Sequence, residues 1–74
     1  MYDNNGLWNE IKGSWKQFVG SVQERWGELT NDEITEMKGE RRQLVGLIQK
    51  RYGIAQQEAE REVDEWAEKA LSRL

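Results

Sequence analysis

Residues 17–27 read Gln-Phe-Val-Gly-Ser-Val-Gln-Glu-Arg-Trp-Gly, and residues 43–53 read Gln-Leu-Val-Gly-Leu-Ile-Gln-Lys-Arg-Tyr-Gly. The second stretch repeats the first after 26 positions, with the same glycines, glutamines and arginine and with most apolar positions retained. All seven glycines of the chain fall into two runs with a seven-residue step: Gly6, Gly13, Gly20 and Gly27, then Gly39, Gly46 and Gly53. We therefore interpret the chain as an internal repeat of one small helical unit, over about 8–38 and 39–66.

Apolar residues around the repeated stretches recur every three or four positions, as they do on one face of a helix. This spacing holds from Leu7 to Trp26 and predicts an amphipathic helix over about 7–26, with Gly27 as its C-terminal cap. The same spacing predicts a helix over about 40–52, capped by Gly53.

Between these helices, residues 29–34 have the pattern of a helix start. Thr30 and Glu33 have the spacing of a capping box, and Leu29 against Ile34 supplies a hydrophobic staple. The helix that begins here is short. The sequence leaves open whether it ends at Gly39 or continues into the next helix, because a single glycine costs only about 1 kcal/mol.

A fourth helix is predicted over about 56–73, where Val63 and Trp66 lie on an apolar face. Its start is weaker, because Gln56 stands where the first repeat has Thr30. The chain contains no proline. We predict an all-α fold, a small four-helix bundle built from two tandem αα-hairpins. Residues 1–74 form a single domain in this interpretation, with residues 1–6 as a flexible arm.

The length of 74 residues leaves little room for a core, and the chain has neither cysteine nor histidine. A domain below about 80 residues without disulfides or metal needs large apolar side chains. Trp8, Trp15, Trp26 and Trp66 lie on the apolar faces of their helices, so we predict that they pack in the core rather than stack on a ligand. Trp8, near the start of its helix, is the expected exception.

The composition limits where we expect the protein to be located and which kinds of partner we expect it to bind. Residues 1–30 contain no apolar segment typical of a secretory signal, and no stretch approaches the roughly 18 apolar residues of a membrane span. We expect a soluble, cytoplasmic protein without a membrane partner. The net charge of −3 disfavours nucleic acid as the main partner.

The segments 15–20, 23–33, 39–53 and 58–66, with their spacing of tryptophan, glycine and glutamine, resemble the CsbD-like family of small bacterial stress proteins. The resemblance covers about residues 8–66. It implies a bacterial cytoplasmic protein that is induced in the general stress response and folds as a small helical bundle of two hairpins. It implies no biochemical activity, because the family offers no catalytic or ligand-binding residues to carry over.

Basic residues form the first candidate surface. Residues 41–52 contain four basic residues and no acidic one, but at 100° per residue these charges spread around the helix. The flanking segments are acidic, which favours charge complementarity within the bundle or between protomers. Nucleic-acid binding remains an alternative function, and its candidate contacts are Lys12, Lys16, Arg41, Arg42 and Arg51.

Acidic side chains are numerous, with 14 Asp and Glu in the chain, so that pairs on one helix face arise by chance. Glu33 with Glu36, and Glu58 with Glu62, are such pairs. Without histidine or cysteine beside them, we predict solvated faces and no catalytic, cofactor-binding or metal site. The leading hypothesis is a non-enzymatic stress-response protein that acts by abundance or by binding another macromolecule.

Three glycines form the second candidate surface. Gly13, Gly20 and Gly46 lie on the side of their helices opposite the apolar face. One interpretation is that they are solvated positions in weak helices, since each mid-helix glycine costs roughly 0.5–1 kcal/mol. The other is a flat face for a partner or for a homo-oligomer. The sequence names no partner and no oligomeric state.

Overall fold

The structure, a computed structural model, describes residues 5–72, which form five α-helices and no strand. The helices are α1 (Asn5–Gly13), α2 (Trp15–Arg25), α3 (Asn31–Met37), α4 (Arg41–Tyr52) and α5 (Gln56–Ser72). The predicted all-α class is confirmed. Residues 1–4 of the expected flexible arm lie outside the described residues, whereas Asn5 and Gly6 already belong to α1. The predicted last residue of the fourth helix, at position 73, also lies outside them.

The single helix predicted over 7–26 is instead two helices that meet at Ser14. The Ser14 amide donates to the carbonyls of Glu10 and Ile11, both at 3.2 Å, and ψ of Ser14 is 34°. Glycine and serine are both poor in helix interiors, so Gly13 followed by Ser14 favours a break. Apolar spacing did not reveal it, because the residues on both sides of the break are buried in the same core.

The helix start predicted at Thr30 is confirmed. Thr30 Oγ1 accepts from the Glu33 amide at 3.1 Å, and a Glu33 carboxylate oxygen accepts from the Thr30 amide at 3.1 Å. The end of α3 answers the question that the sequence left open. Lys38 has a φ of 55° and Gly39 a φ of 83°, so the chain turns at these two residues and α3 and α4 are separate helices.

Of the two predicted glycine caps, only Gly53 is confirmed. Its φ is 65°, and its amide donates to the Gln49 carbonyl at 2.8 Å. The prediction for Gly27 is wrong, because α2 ends at Arg25 and the C-cap is Trp26, whose φ is −125°. Trp26 is almost completely buried, and holding its ring in the core turns the backbone one residue before the glycine.

One apolar core joins all five helices. α5 contacts α1, α2 and α4, while α3 contacts α2 and α4. Small residues on α5 let the neighbouring helices approach closely. The buried residues are Trp8, Ile11, Trp15, Phe18, Val19, Val22, Trp26, Leu29, Ile34, Met37, Leu44, Val45, Ile48, Ala59, Val63, Trp66, Ala67 and Ala70. Within residues 6–72, no polar or charged residue is buried.

Candidate interaction surface

The four tryptophans pack together around Trp66 in the core. The ring centroids of Trp8, Trp15 and Trp26 lie 6.0–6.4 Å from that of Trp66. Each of the four side chains is at most 7% exposed, so the prediction that they form the core is confirmed. The expectation that Trp8 is an exception is wrong, since it is 5% exposed. None of the four rings is therefore available to stack on a ligand or a nucleobase.

Three of the indole N–H groups bind to other helices. Trp15 Nε1 donates to the Ile34 carbonyl at 2.7 Å, in the last turns of α3, where carbonyls lack intrahelical partners. Trp26 Nε1 donates to a Glu62 carboxylate oxygen at 3.0 Å, and Trp66 Nε1 donates to Ser21 Oγ at 2.9 Å. Trp8 Nε1 is buried and has no partner within residues 5–72.

Three of the five candidate nucleic-acid contacts bind carboxylates of the same chain. Lys12 Nζ lies 3.1 Å from a Glu40 oxygen, and Arg51 forms an ion pair with Glu33. Lys16 and Arg42 are exposed and form no ion pair with a described residue.

Arg41, the third paired cation, joins α4 to α5. Its Nε and one terminal nitrogen donate to the two carboxylate oxygens of Asp64, at 3.0 and 3.1 Å. The hydrogen bonds to Asp64 raise the pKa of Arg41, and partial burial opposes this rise. Arg41 therefore stays charged throughout the neutral range. Sequence reasoning missed this pair because Asp64 lies 23 positions away and has no local pattern that marks it.

One carboxylate of each pair that sequence reasoning considered for acid–base work serves the fold. Glu33 takes part in the capping box and pairs with Arg51. Glu62 accepts from Trp26 Nε1, and its carboxylate lies 3.5 Å from Arg25. Their neighbours Glu36 and Glu58 are exposed on the surface. Glu33 and Glu62 therefore hold neighbouring helices together.

The three candidate glycines are exposed, as expected for positions opposite the core. A side chain added at Gly13, Gly20 or Gly46 would meet nothing within 4 Å. Gly13 is the last residue of α1, whereas Gly20 and Gly46 lie inside α2 and α4. Gly39 differs from all of them, because a Cβ there would lie 2.8 Å from Lys12 Cα. It allows α1 to approach the α3–α4 turn.

Open surface clefts lie between the described helices. One of about 320 Å³ lies between α2 and α5 and is lined by charges of both signs, Glu24, Arg25, Glu65 and Lys69. Two more, of about 400 and 380 Å³, lie on either side of α4 and share Gly46 as a lining residue. Within the described part of the chain, no group of three His, Cys, Asp or Glu side chains is arranged to hold a metal ion.

The profile of the CsbD-like family matches residues 9–61, from α1 into the first half of α5. The chain belongs to the CsbD-like family. The match contains the capping box, both turns that use positive φ and two of the four tryptophans, Trp15 and Trp26.

Curated relatives agree with this assignment over most of the chain. UPF0337 protein bsl1473 of Bradyrhizobium diazoefficiens is 61% identical over 59 residues, which are 80% of this chain and 89% of that protein. UPF0337 protein msl9551 of Mesorhizobium japonicum is 59% identical over 59 residues, 80% of this chain and 88% of that protein. UPF0337 protein YjbJ of Escherichia coli O6:H1 is 52% identical over 61 residues, 82% of this chain and 88% of that protein.

Membership of the CsbD-like family implies a protein of the general stress response and brings no biochemical activity with it. The CsbD-like match therefore indicates the stress response as the biological setting. It does not indicate which surface of the protein performs the function. None of the helices within residues 5–72 combines the length and the apolar character that crossing a membrane requires.

Proposed function

We propose that this CsbD-like protein acts in the bacterial cytoplasm without catalysis, by binding another macromolecule during stress. One observation carries the proposal: charged side chains on neighbouring helices form ion pairs with one another. Arg41 with Asp64 and Arg51 with Glu33 join neighbouring helices at the surface. Ion pairs of this kind fix the positions of the helices and leave a shaped and charged surface that can bind another macromolecule.

We further propose that the five helices form one domain of two tandem hairpins, a four-helix bundle in which α1 and α2 together replace the first helix. Packing of α2 with α3 and of α4 with α5 supports this arrangement. The helix starts support the proposed repeat, because α2 begins at Trp15 and α4 begins 26 positions later, at Arg41. Phe18 and its counterpart Leu44 are both buried.

A complementation series tests the absence of catalysis. In a bacterial strain that lacks this gene, we expect Glu58→Gln and Glu62→Gln to restore survival under stress nearly as well as the unchanged chain. Loss of one surface contact changes binding by up to about fivefold, whereas loss of a general acid or base lowers a rate about 10²–10⁴-fold.

The control for this series is the fold of each variant, measured by circular dichroism. A second control is Glu65→Gln, on the same helix as Glu62. This substitution removes no ion pair with a described residue. A variant that keeps its helicity and yet loses complementation as completely as the empty vector would contradict a non-enzymatic function.

Nucleic-acid binding is the second candidate, and one observation favours it. Lys16 and Arg42 occupy equivalent positions of the proposed repeat, 26 positions apart, and both are exposed without an ion-pair partner among the described residues. This candidate requires a salt-dependent shift with DNA or RNA that Lys16→Gln and Arg42→Gln each weaken. No shift at low ionic strength would remove it.

A further inference from the structure

α1 is joined to the rest of the chain at a weak point. The helix is nine residues long and ends at Gly13, after which Ser14 interrupts the helical path. The Ser14 amide shares its hydrogen bond between the carbonyls of Glu10 and Ile11, and both distances, 3.2 Å, lie at the upper end of the usual range. The Ser14 side chain does not cap α2. The backbone therefore has a place at which α1 can turn away from α2.

Directional side-chain bonds tie the other four helices to one another. They run from Trp15 to the Ile34 carbonyl, from Trp66 to Ser21, from Arg41 to Asp64 and from Arg51 to Glu33. The corresponding contact of α1 is the ion pair of Lys12 with Glu40, whose side chains are 44% and 50% exposed. An exposed pair of this kind adds little stability, because water competes for both charges.

Apolar burial is the main attachment of α1. Trp8 and Ile11 are buried, and the Trp8 ring lies 6.1 Å from that of Trp66 on α5. Trp66 also packs against Trp15 and Phe18 of α2, with ring centroids 6.4 and 6.0 Å away. Departure of α1 therefore uncovers one side of Trp66 and leaves the aromatic contacts between α2 and α5 in place.

α1 is also a weak helix in its own right. Gly6 and Gly13 both belong to it, and a Cβ at either position would meet nothing within 4 Å. Neither glycine improves the packing, and both lower the intrinsic stability of the helix relative to alanine. An isolated helix of nine residues is marginal in water. Once α1 leaves the core it melts, and the conformational entropy that it gains favours opening.

We propose that α1 is a strap over Trp66 that opens as a unit about Ser14 while α2, α3, α4 and α5 stay folded. In the closed state Lys12 holds the strap in two ways, through its ion pair with Glu40 and through the close approach of its Cα to Gly39. In the open state the chain presents an apolar surface around Trp66 that the closed state covers. The opening needs no partner, so it goes beyond the proposed binding function and does not depend on it.

Thiol labelling measures the opening directly. The chain has no cysteine, and Ile11 in α1 and Ile48 in α4 are both 0% exposed, so Ile11→Cys and Ile48→Cys form a matched pair. We expect Ile11→Cys to react at least about tenfold faster than the unfolding equilibrium of the same variant, measured in urea, allows. Ile48→Cys should react only through global unfolding. The cavity left by Ile11→Cys makes local opening and global unfolding easier by the same factor, so the ratio between the two is unchanged.

A pair of glycine variants tests where the strap is held. The Cβ of Gly39→Ala would lie 2.8 Å from Lys12 Cα, a contact that opening of α1 relieves. Native-state amide exchange in α1 should therefore be about fivefold or more faster in Gly39→Ala than in the unchanged chain. Gly53 also has a positive φ, but it has open space around the position of a Cβ, so Gly53→Ala should leave exchange in α1 unchanged.

A pair of lysine variants tests the ion pair. Lys12→Gln removes the contact with Glu40, and we expect amide exchange in α1 to become about two- to fivefold faster at low ionic strength. Sodium chloride at about 1 M should shrink this difference, because it screens exposed charges. Lys16→Gln is the control and should leave exchange in α1 unchanged, since Lys16 is exposed on α2 and forms no ion pair with a described residue.

Three results would overturn the strap. The first is labelling of Ile11→Cys no faster than global unfolding of that variant allows. The second is a set of α1 amides that, in the unchanged chain, open with the same free energy as the amides of α4 and α5. The third is an effect of Gly39→Ala on exchange in α1 that Gly53→Ala reproduces. Equal exchange in α1 for Lys12→Gln and Lys16→Gln would show that the ion pair does not hold the strap.

Discussion

Replacing Gly39 by alanine is expected to destabilise the protein more than any other single glycine substitution in the described chain. Two penalties add at this position. A φ of 83° holds the residue in the left-handed region, which costs an L-residue about 1–2 kcal/mol. The added Cβ would also lie 2.8 Å from Lys12 Cα, a backbone atom that moves only if α1 moves. Overpacking of this kind costs about 1–3 kcal/mol, so the total is about 2–5 kcal/mol.

Gly53 separates the two penalties. Its φ is 65°, but a Cβ there would meet nothing within 4 Å. Gly53→Ala should therefore cost only the conformational part, about 1–2 kcal/mol. The difference between Gly39→Ala and Gly53→Ala measures how closely α1 approaches the α3–α4 turn.

Substitution by alanine at Gly20 or Gly46 should change the stability of the protein in the opposite direction from Gly39→Ala. Both lie inside helices, with ordinary helical φ and open space around the position of a Cβ. Gly20→Ala and Gly46→Ala should each stabilise the protein by about 0.5–1 kcal/mol.

Urea and thermal denaturation, followed by far-ultraviolet circular dichroism, measure all four variants. For a chain of this size, 1 kcal/mol shifts Tm by about 4–8 °C, so Gly39→Ala should lower Tm by about 10 °C or more. Gly20→Ala should raise it by about 2–8 °C. A Gly39→Ala protein no less stable than Gly53→Ala would refute the close approach at Lys12. A loss of stability in Gly20→Ala would show that this position is not simply solvated.

Two further predictions concern hydrogen bonds. In urea denaturation, Trp15→Phe should be more destabilising than Trp8→Phe by about 1–3 kcal/mol. Trp15→Phe leaves the Ile34 carbonyl unpaired, whereas the indole nitrogen of Trp8 has no described partner to lose. Equal losses of stability in the two variants would contradict this prediction. Thr30→Ala should cost about 0.5–2 kcal/mol through loss of the bond to the Glu33 amide, whereas Thr30→Ser should retain most of the stability.

The helix limits that depend on local signals could be predicted from the sequence. The helices predicted over about 40–52 and 56–73 are found at Arg41–Tyr52 and Gln56–Ser72. Apolar periodicity, the capping box and a terminal glycine act within one or two turns, so that neighbouring residues contain the information. The break at Ser14 was missed for the same reason, since periodicity follows burial and burial continues through the break.

The contacts that define the candidate surfaces could not be predicted, because they join residues far apart in the sequence. Trp26 binds Glu62, 36 positions away, and Arg41 binds Asp64. Charge counts placed a basic helix beside acidic segments, but which cations remain unpaired depends on how the helices pack. Only the folded chain shows that Arg42 is exposed without an ion pair while Arg41, its neighbour, is held.

The proposed repeat explains the packing of the core. The positions at which its two copies differ explain why the outer faces of α2 and α4 are unlike. Val22 and Ile48 are equivalent, and both are fully buried, so duplication of the apolar pattern duplicates the packing. Glu24 and Lys50 are equivalent too, but their charges are opposite and both are exposed. This difference gives α2 and α4 unlike outer faces although their inner faces match.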